Sequence, residues 1–151
     1  MAALSLFDRA GREALLARVQ AMTPASPRQW GKMDVGQMLA HLQVGLRVAL
    51  GDTKLKRSLL GLLFGRMAKR SALGEKPFSK GLPTDATFKI RDARDVAREK
   101  TALLALIERF GAGGPAVVTS DPHPFFGPMT PPEWDVLMAK HLDHHLRQFG
   151  G

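Results

Sequence analysis

The sequence predicts an all-α fold: a four-helix bundle with one additional basic helix and two long loops, in a single domain over residues 1–151. Three observations predict it. The ten prolines leave the windows 1–23, 28–76, 84–114 and 133–151 free of them, and only such windows accommodate uninterrupted helices. Within the windows apolar residues recur at three- and four-residue spacing, and nowhere is there the sustained alternation of a half-buried strand. A chain of 151 residues, 44% apolar and 24% charged, has the size and composition of one packed domain.

The elements follow in order. Ser5-Leu6-Phe7-Asp8 offers a start for a first helix near 5–22, with Phe7, Leu15, Leu16, Val19 and Met22 on its apolar side. Asp34 with Gln37 three residues on forms a capping box for a second helix near 34–50, whose stripe includes Val35, Met38, Leu39, Leu42 and Leu46. A basic segment comes next, where Leu55, Leu59, Leu63 and Met67 lie four apart among Lys and Arg residues and mark an amphipathic helix near 54–70. Residues 71–91, with Gly74, Pro77, Gly81 and Pro83, read as a long connection with a short strand-like piece near Phe88. Val96, Leu103, Leu104, Ile107 and Phe110 mark a helix near 92–110, stopped by Gly111, Gly113 and Gly114. After a second irregular stretch, Thr130 as N-cap, Pro131 in the first turn and Glu133 completing a capping box open the last helix, near 131–148, with Met129 placed to staple Trp134.

Composition excludes several chemistries. With no cysteine there is no disulfide framework, thiolate metal site or cysteine nucleophile, so His, Asp and Glu carry any acid-base or metal chemistry. The opening residues, Met1 to Phe7, are too short and lack the basic start of a secretory signal, and the longest uncharged apolar run, Ser58 to Gly65, is far below the roughly 20 residues that span a bilayer. A cytoplasmic protein without a transmembrane segment is the expectation. The net charge of +8 is concentrated: residues 54–80 carry eight bases against one acid, Glu75, and the remainder is nearly balanced. That segment reads as a solvated basic face or a surface for an anionic ligand, partner or membrane. Only Phe64 and Phe78 stand among its charges and the chain has no tyrosine, so a base-stacking nucleic-acid surface is not supported. Gly61 and Gly65, four apart, permit close packing in the core or in a dimer.

The residues that suit metal chemistry are histidines. His141 and His145 are four apart on the last helix, a spacing that lets both imidazoles ligate one cation. At 100° per residue from Trp134 they fall at about 340° and 20°, between Leu137 and Met138, in the centre of the apolar stripe. Two buried imidazoles need partners for their ring nitrogens, and a shared cation satisfies one nitrogen of each. A third ligand must come from another helix, and His41, in the middle of the second helix with Gly45 one turn on, is the natural candidate. His144 sits at the edge of the stripe, and His123 lies among Pro122, Pro124, Phe125 and Phe126 as a loop brace or a lid. Three neutral histidines leave open coordination positions, as in a catalytic zinc site, and nickel or iron would also accept them. Such a site acidifies a water or a thiol near neutral pH. No Glu follows His141 directly, which argues against a metalloprotease, and inward Glu-x-x-His pairs of a di-iron bundle are lacking. Asp34, Glu133 and His144 are unranked candidates for a general base, and no catalytic residue is assigned.

Trp30-Gly31-Lys32-Met33 leading into Gln37-Met38-Leu39-Ala40-His41-Leu42, then His123-Pro124-Phe125-Phe126-Gly127, and finally Glu133-Trp134 with Lys140-His141, His144-His145 and Gln148-Phe149-Gly150 resemble the DinB/YfiT-like superfamily of metal-binding four-helix bundles. Within it they are similar to an uncharacterised subgroup marked by the HPFFG and KHxxHHxxQFG signatures. The resemblance spans nearly the whole chain. It implies a divalent cation on His41, His141 and His145, the set that the spacing also selects, with Gln148 at the offset of the superfamily's Gln and Arg147 displaced by one. It further implies a homodimer and an enzyme that uses the metal to activate a low-molecular-weight thiol or water, thiol-transferase-like or hydrolase-like. Lys69 and Arg70 would then attract the carboxylates of a small anionic thiol. The alternative is a non-catalytic dimeric interaction protein docking an acidic partner or anionic membrane through residues 54–80.

Overall fold

The computed structural model describes residues 4–151. Five α-helices form the fold: α1 (Arg9–Ala21), α2 (Val35–Ala49), α3 (Leu59–Ala72), α4 (Val96–Gly113) and α5 (Pro131–Gln148), with 3-10 turns at Ala86–Phe88 and Gly114–Val117. No strand occurs among the described residues; a lone antiparallel bridge joins His123 and Gly127.

The bundle consists of α1, α2, α4 and α5, with the most extensive packing between α2 and α4. Its core is filled by Leu15 and Val19 from α1, Leu39 and Leu42 from α2, Leu103, Ile107 and Phe110 from α4, and Trp134, Leu142 and Leu146 from α5, all buried. The caps of α2 and α5 form as their sequences dictate. Asp34 and Gln37 make a reciprocal capping box, and so do Thr130 and Glu133, each satisfying two backbone N–H groups.

Other boundaries move, each for a local reason. α1 begins at Arg9 rather than Ser5, because Asp135 of α5 accepts hydrogen bonds from Ser5 Oγ (2.6 Å) and Leu6 N–H (2.7 Å), which pins the entering chain. Asp8 caps the helix instead. α4 starts at Val96 under an Asp95 cap and runs through Gly111, ending where Gly114 takes φ +64°. The piece near Phe88 is a 3-10 turn rather than a strand, because the Asp85 carboxylate accepts from both N–H (2.9 Å) and Oγ1–H (2.6 Å) of Thr87.

The largest departure is α3. It starts at Leu59, since Ser58 caps it and donates its own N–H to Pro124 O at 2.8 Å. Its leucine stripe faces outward: Leu59, Leu63 and Met67 are 80%, 76% and 70% exposed. The inward face is Gly61 and Gly65, laid against the backbone of Phe125 so closely that a Cβ on Gly61 would stand 2.5 Å from Phe125 O. The two glycines serve packing within this chain.

Candidate metal centre

The midpoint of α2 meets the C-terminal half of α5, and the three histidines expected to act together converge there. The ring nitrogens that His41, His141 and His145 offer lie within 4.8 Å of one another. His41 Nε2 and His141 Nε2 are 2.9 Å apart. Ring centroids are separated by 4.8 Å (His41–His141), 4.7 Å (His41–His145) and 4.9 Å (His141–His145), and each pair meets nearly edge to face. Zinc–imidazole bonds of about 2.0–2.1 Å at tetrahedral angles require nitrogens about 3.3 Å apart. The observed range brackets that value, so the donor set fits a small divalent cation with only side-chain adjustment.

Two further contacts orient the rings. His41 Nδ1–H donates to the Phe88 carbonyl at 2.7 Å, which leaves the Nε2 lone pair facing its neighbours. His145 Nδ1–H donates to Gln148 Oε1 at 2.7 Å, while Gln148 Nε2 donates to Trp30 O at 2.9 Å and so fixes which end of the amide faces the imidazole. His145 Nε2 is thereby also left as an acceptor. His141 lies against the space above Gly45, where a Cβ would stand 3.3 Å from its Nδ1. The missing side chain at Gly45 thus makes room for His141.

Electrostatics keeps the cluster neutral. Burial lowers the pKa of His41, against a smaller opposing effect of the Phe88 carbonyl. Burial, then the neighbouring imidazoles, holds His141 well below the usual range, and burial followed by His41 pushes His145 down to about 3. Neutral imidazoles are the form that ligates a metal. His41 is buried, but His141 and His145 are only partly so. They lie at the edge of the core instead of its centre, and solvent reaches them.

The other candidates divide. Gln148 is buried and orients His145. The His144 ring packs 4.9 Å from His145, 5.5 Å from Trp30 and 5.9 Å from Phe78, outside the triad. His123 braces its loop: Nδ1 accepts from the N–H groups of Phe125 (3.0 Å) and Phe126 (3.1 Å), and its ring stacks on Phe126. Asp34 and Glu133 sit at the starts of their helices, about two turns from the nearest histidine of the cluster, so of the three candidate bases only His144 abuts it. Lys69 is occupied by Glu133 (2.9 Å) and Pro128 O (2.8 Å), and Arg70 is on the exposed side of α3.

Sequence reasoning did not find Phe88 or Lys140. Phe88 acts through its backbone carbonyl, which no residue type announces. Lys140 donates to three carbonyls, of Ala72 (2.6 Å), Gly74 (2.7 Å) and Lys76 (2.8 Å), clipping the end of α3 and the chain just beyond it to α5 beside His141. Its adjacency to His141 in the run Lys140-His141-Leu142-Asp143-His144-His145 was the available signal.

Residues 5–150 match a family model described as "Protein of unknown function (DUF1569)". No match is found among curated proteins or among solved structures.

Proposed function

We propose, for a chain that belongs to the DUF1569 family and from the geometry of its own histidines, that His41, His141 and His145 bind one divalent cation: zinc, nickel or iron. The observation that carries this reading is the convergence of three neutral imidazoles, two with the remote N–H already committed, to Phe88 O and Gln148 Oε1. The resemblance to DinB/YfiT-like bundles supports the same three residues.

Three protein ligands are the complement of a site that keeps a position for a reactant, and the partial exposure of His141 and His145 gives that reactant a way in. A cation held there supplies the positive charge that acidifies a water or a small thiol near neutral pH, the chemistry of a metal-dependent transferase or hydrolase. The protein's own residues do the rest. Phe88 and Gln148 hold His41 and His145 in register, and His144, with its ring against His145, is the group placed to exchange a proton with a reactant. Lys69 is committed to Glu133, so the attraction of an anionic thiol passes to Lys80, whose ammonium stands 4.6 Å over the Trp30 ring beside His144.

Purification without a histidine tag, followed by metal analysis by mass spectrometry, tests the site. About one equivalent of zinc, nickel or iron per chain is expected, with loss in His141→Ala. A chain that stays metal-free after incubation with each ion overturns the reading. The loaded protein is then assayed for thiol transfer and ester hydrolysis, both of which should vanish in the variant.

A further inference from the structure

We propose that α3 is a membrane-docking helix that lays its outer face on an anionic lipid surface. Seven large apolar residues are conspicuously exposed among those described, and six of them belong to this one helix: Leu59, Leu60, Leu62, Leu63, Phe64 and Met67. Their exposure runs from 50% to 80%. At 100° per residue they fan over about 200° of the helix circumference, a convex apolar surface and not a scattering of single residues.

The surroundings of this face identify its occupant. Arg66 and Arg70 stand exposed on the helix itself, Lys56 and Lys76 are exposed in the chain on either side of it, and the whole stretch 54–80 contains one acid, Glu75. Arg66 and Arg70 rise from the outward side among the leucines, where long side chains lie along an apolar surface while their guanidinium groups reach phosphate. A second copy of the chain fits this face badly. Two-fold packing through this face would bury Arg66 and Arg70 of both copies in the interface with no acid on the helix to pair them, and the close-approach surface of Gly61 and Gly65 is already filled by Phe125. A fluid layer of acyl chains under anionic headgroups satisfies both halves of the face at once. At 14 residues, about 21 Å long, α3 is too short and too charged to cross a bilayer, and so lies in its plane.

The attachment of α3 suits this task. It is held to the bundle from one side only, by Phe125 against Gly61 and Gly65, by Lys69 on Glu133 and Pro128, and by Lys140 on its last residue and the chain just beyond. None of these contacts uses the outer face.

Co-sedimentation of the full chain with vesicles tests the proposal. Vesicles of phosphatidylcholine with about 30% phosphatidylglycerol should bind the protein, and pure phosphatidylcholine should bind it at least roughly tenfold more weakly. Leu59→Asn/Leu63→Asn and Arg66→Glu/Arg70→Glu should each lower the partition coefficient on the mixed vesicles roughly tenfold or more, with helical circular dichroism unchanged because all four residues are exposed. Absence of binding to the mixed vesicles overturns the proposal, as does binding that neither double variant weakens. Sedimentation equilibrium on the same preparations reads the competing occupant: a homodimer that dissociates in Leu59→Asn/Leu63→Asn assigns the face to a second copy and overturns the lipid assignment. Metal content is read in parallel and is independent of these four positions, so failure here is distinct from failure of the histidine site.

Discussion

At the scale of single residues, His123 shows how one side chain couples a loop to pH. Burial pushes its pKa down to about 4, with Arg57 adding to the effect, and its Nδ1 is the acceptor for two backbone N–H groups. The folded state therefore holds it neutral, while the unfolded chain protonates it near its ordinary value of 6.5. Its contribution to stability is complete above that value and is lost as pH falls from 6.5 toward 4, about 3 kcal/mol in all. In His123→Asn the amide oxygen can take both N–H bonds without titrating. Urea unfolding is expected to show the wild type losing about 3 kcal/mol more than this variant between pH 7.5 and pH 4. Equal losses would mean that the loop does not hold His123 neutral. His123→Ala, which strands both N–H groups, should cost about 2–3 kcal/mol even at pH 7.5. The histidines of the site illustrate the limit of sequence reading at this scale. The i,i+4 pair and His41 are visible because imidazole is a distinctive residue type, whereas the Phe88 carbonyl that orients His41 is a backbone atom with no residue signature.

At the scale of elements, α2, α5 and α3 explain what periodicity can and cannot reveal. Capping boxes and apolar stripes agree in α2 and α5, and both helices form within a residue or so of the expected bounds. In α3 the period is real and its sense is inverted, because spacing identifies an apolar face without saying that the face is covered. The decisive signal was the glycine pair, whose need for close approach outweighs the leucines in choosing the inward side. A contrast of two substitutions checks this. Gly61→Ala gains about 1 kcal/mol of helix propensity but drives a methyl to 2.5 Å from Phe125 O, so a net loss of about 1–2 kcal/mol is expected, with faster proteolysis around residues 52–58 as α3 lifts from its seat. Leu63→Ala removes a side chain that is 76% exposed and should change stability by less than about 0.5 kcal/mol. Were Leu63→Ala the more damaging, the leucine face would be the buried one.

At the scale of the whole molecule, the three histidines join elements that the chain sequence keeps far apart. His41 is separated from His141 by 100 residues, and the two rings meet where α2 packs on α5. Phe88 brings in the loop between α3 and α4, and Gln148 ties in Trp30 from the connection between α1 and α2. A cation on this cluster would thus cross-link two bundle helices, and it would stabilise the folded state by mass action, since the unfolded chain has no such convergence of nitrogens. At a free-ion concentration about a thousandfold above Kd the gain is about 4 kcal/mol, which for a domain of this size corresponds to a rise in Tm of roughly 10 °C. Calorimetry with zinc against chelator should show that rise in the wild type and none in His145→Ala. Gln148→Leu, which frees the His145 ring without removing it, should retain part of the rise at a Kd weaker by about tenfold or more. A wild-type Tm that zinc leaves unmoved would mean that these imidazoles satisfy only one another. An equal rise in wild type and His145→Ala would place the ion elsewhere on the protein.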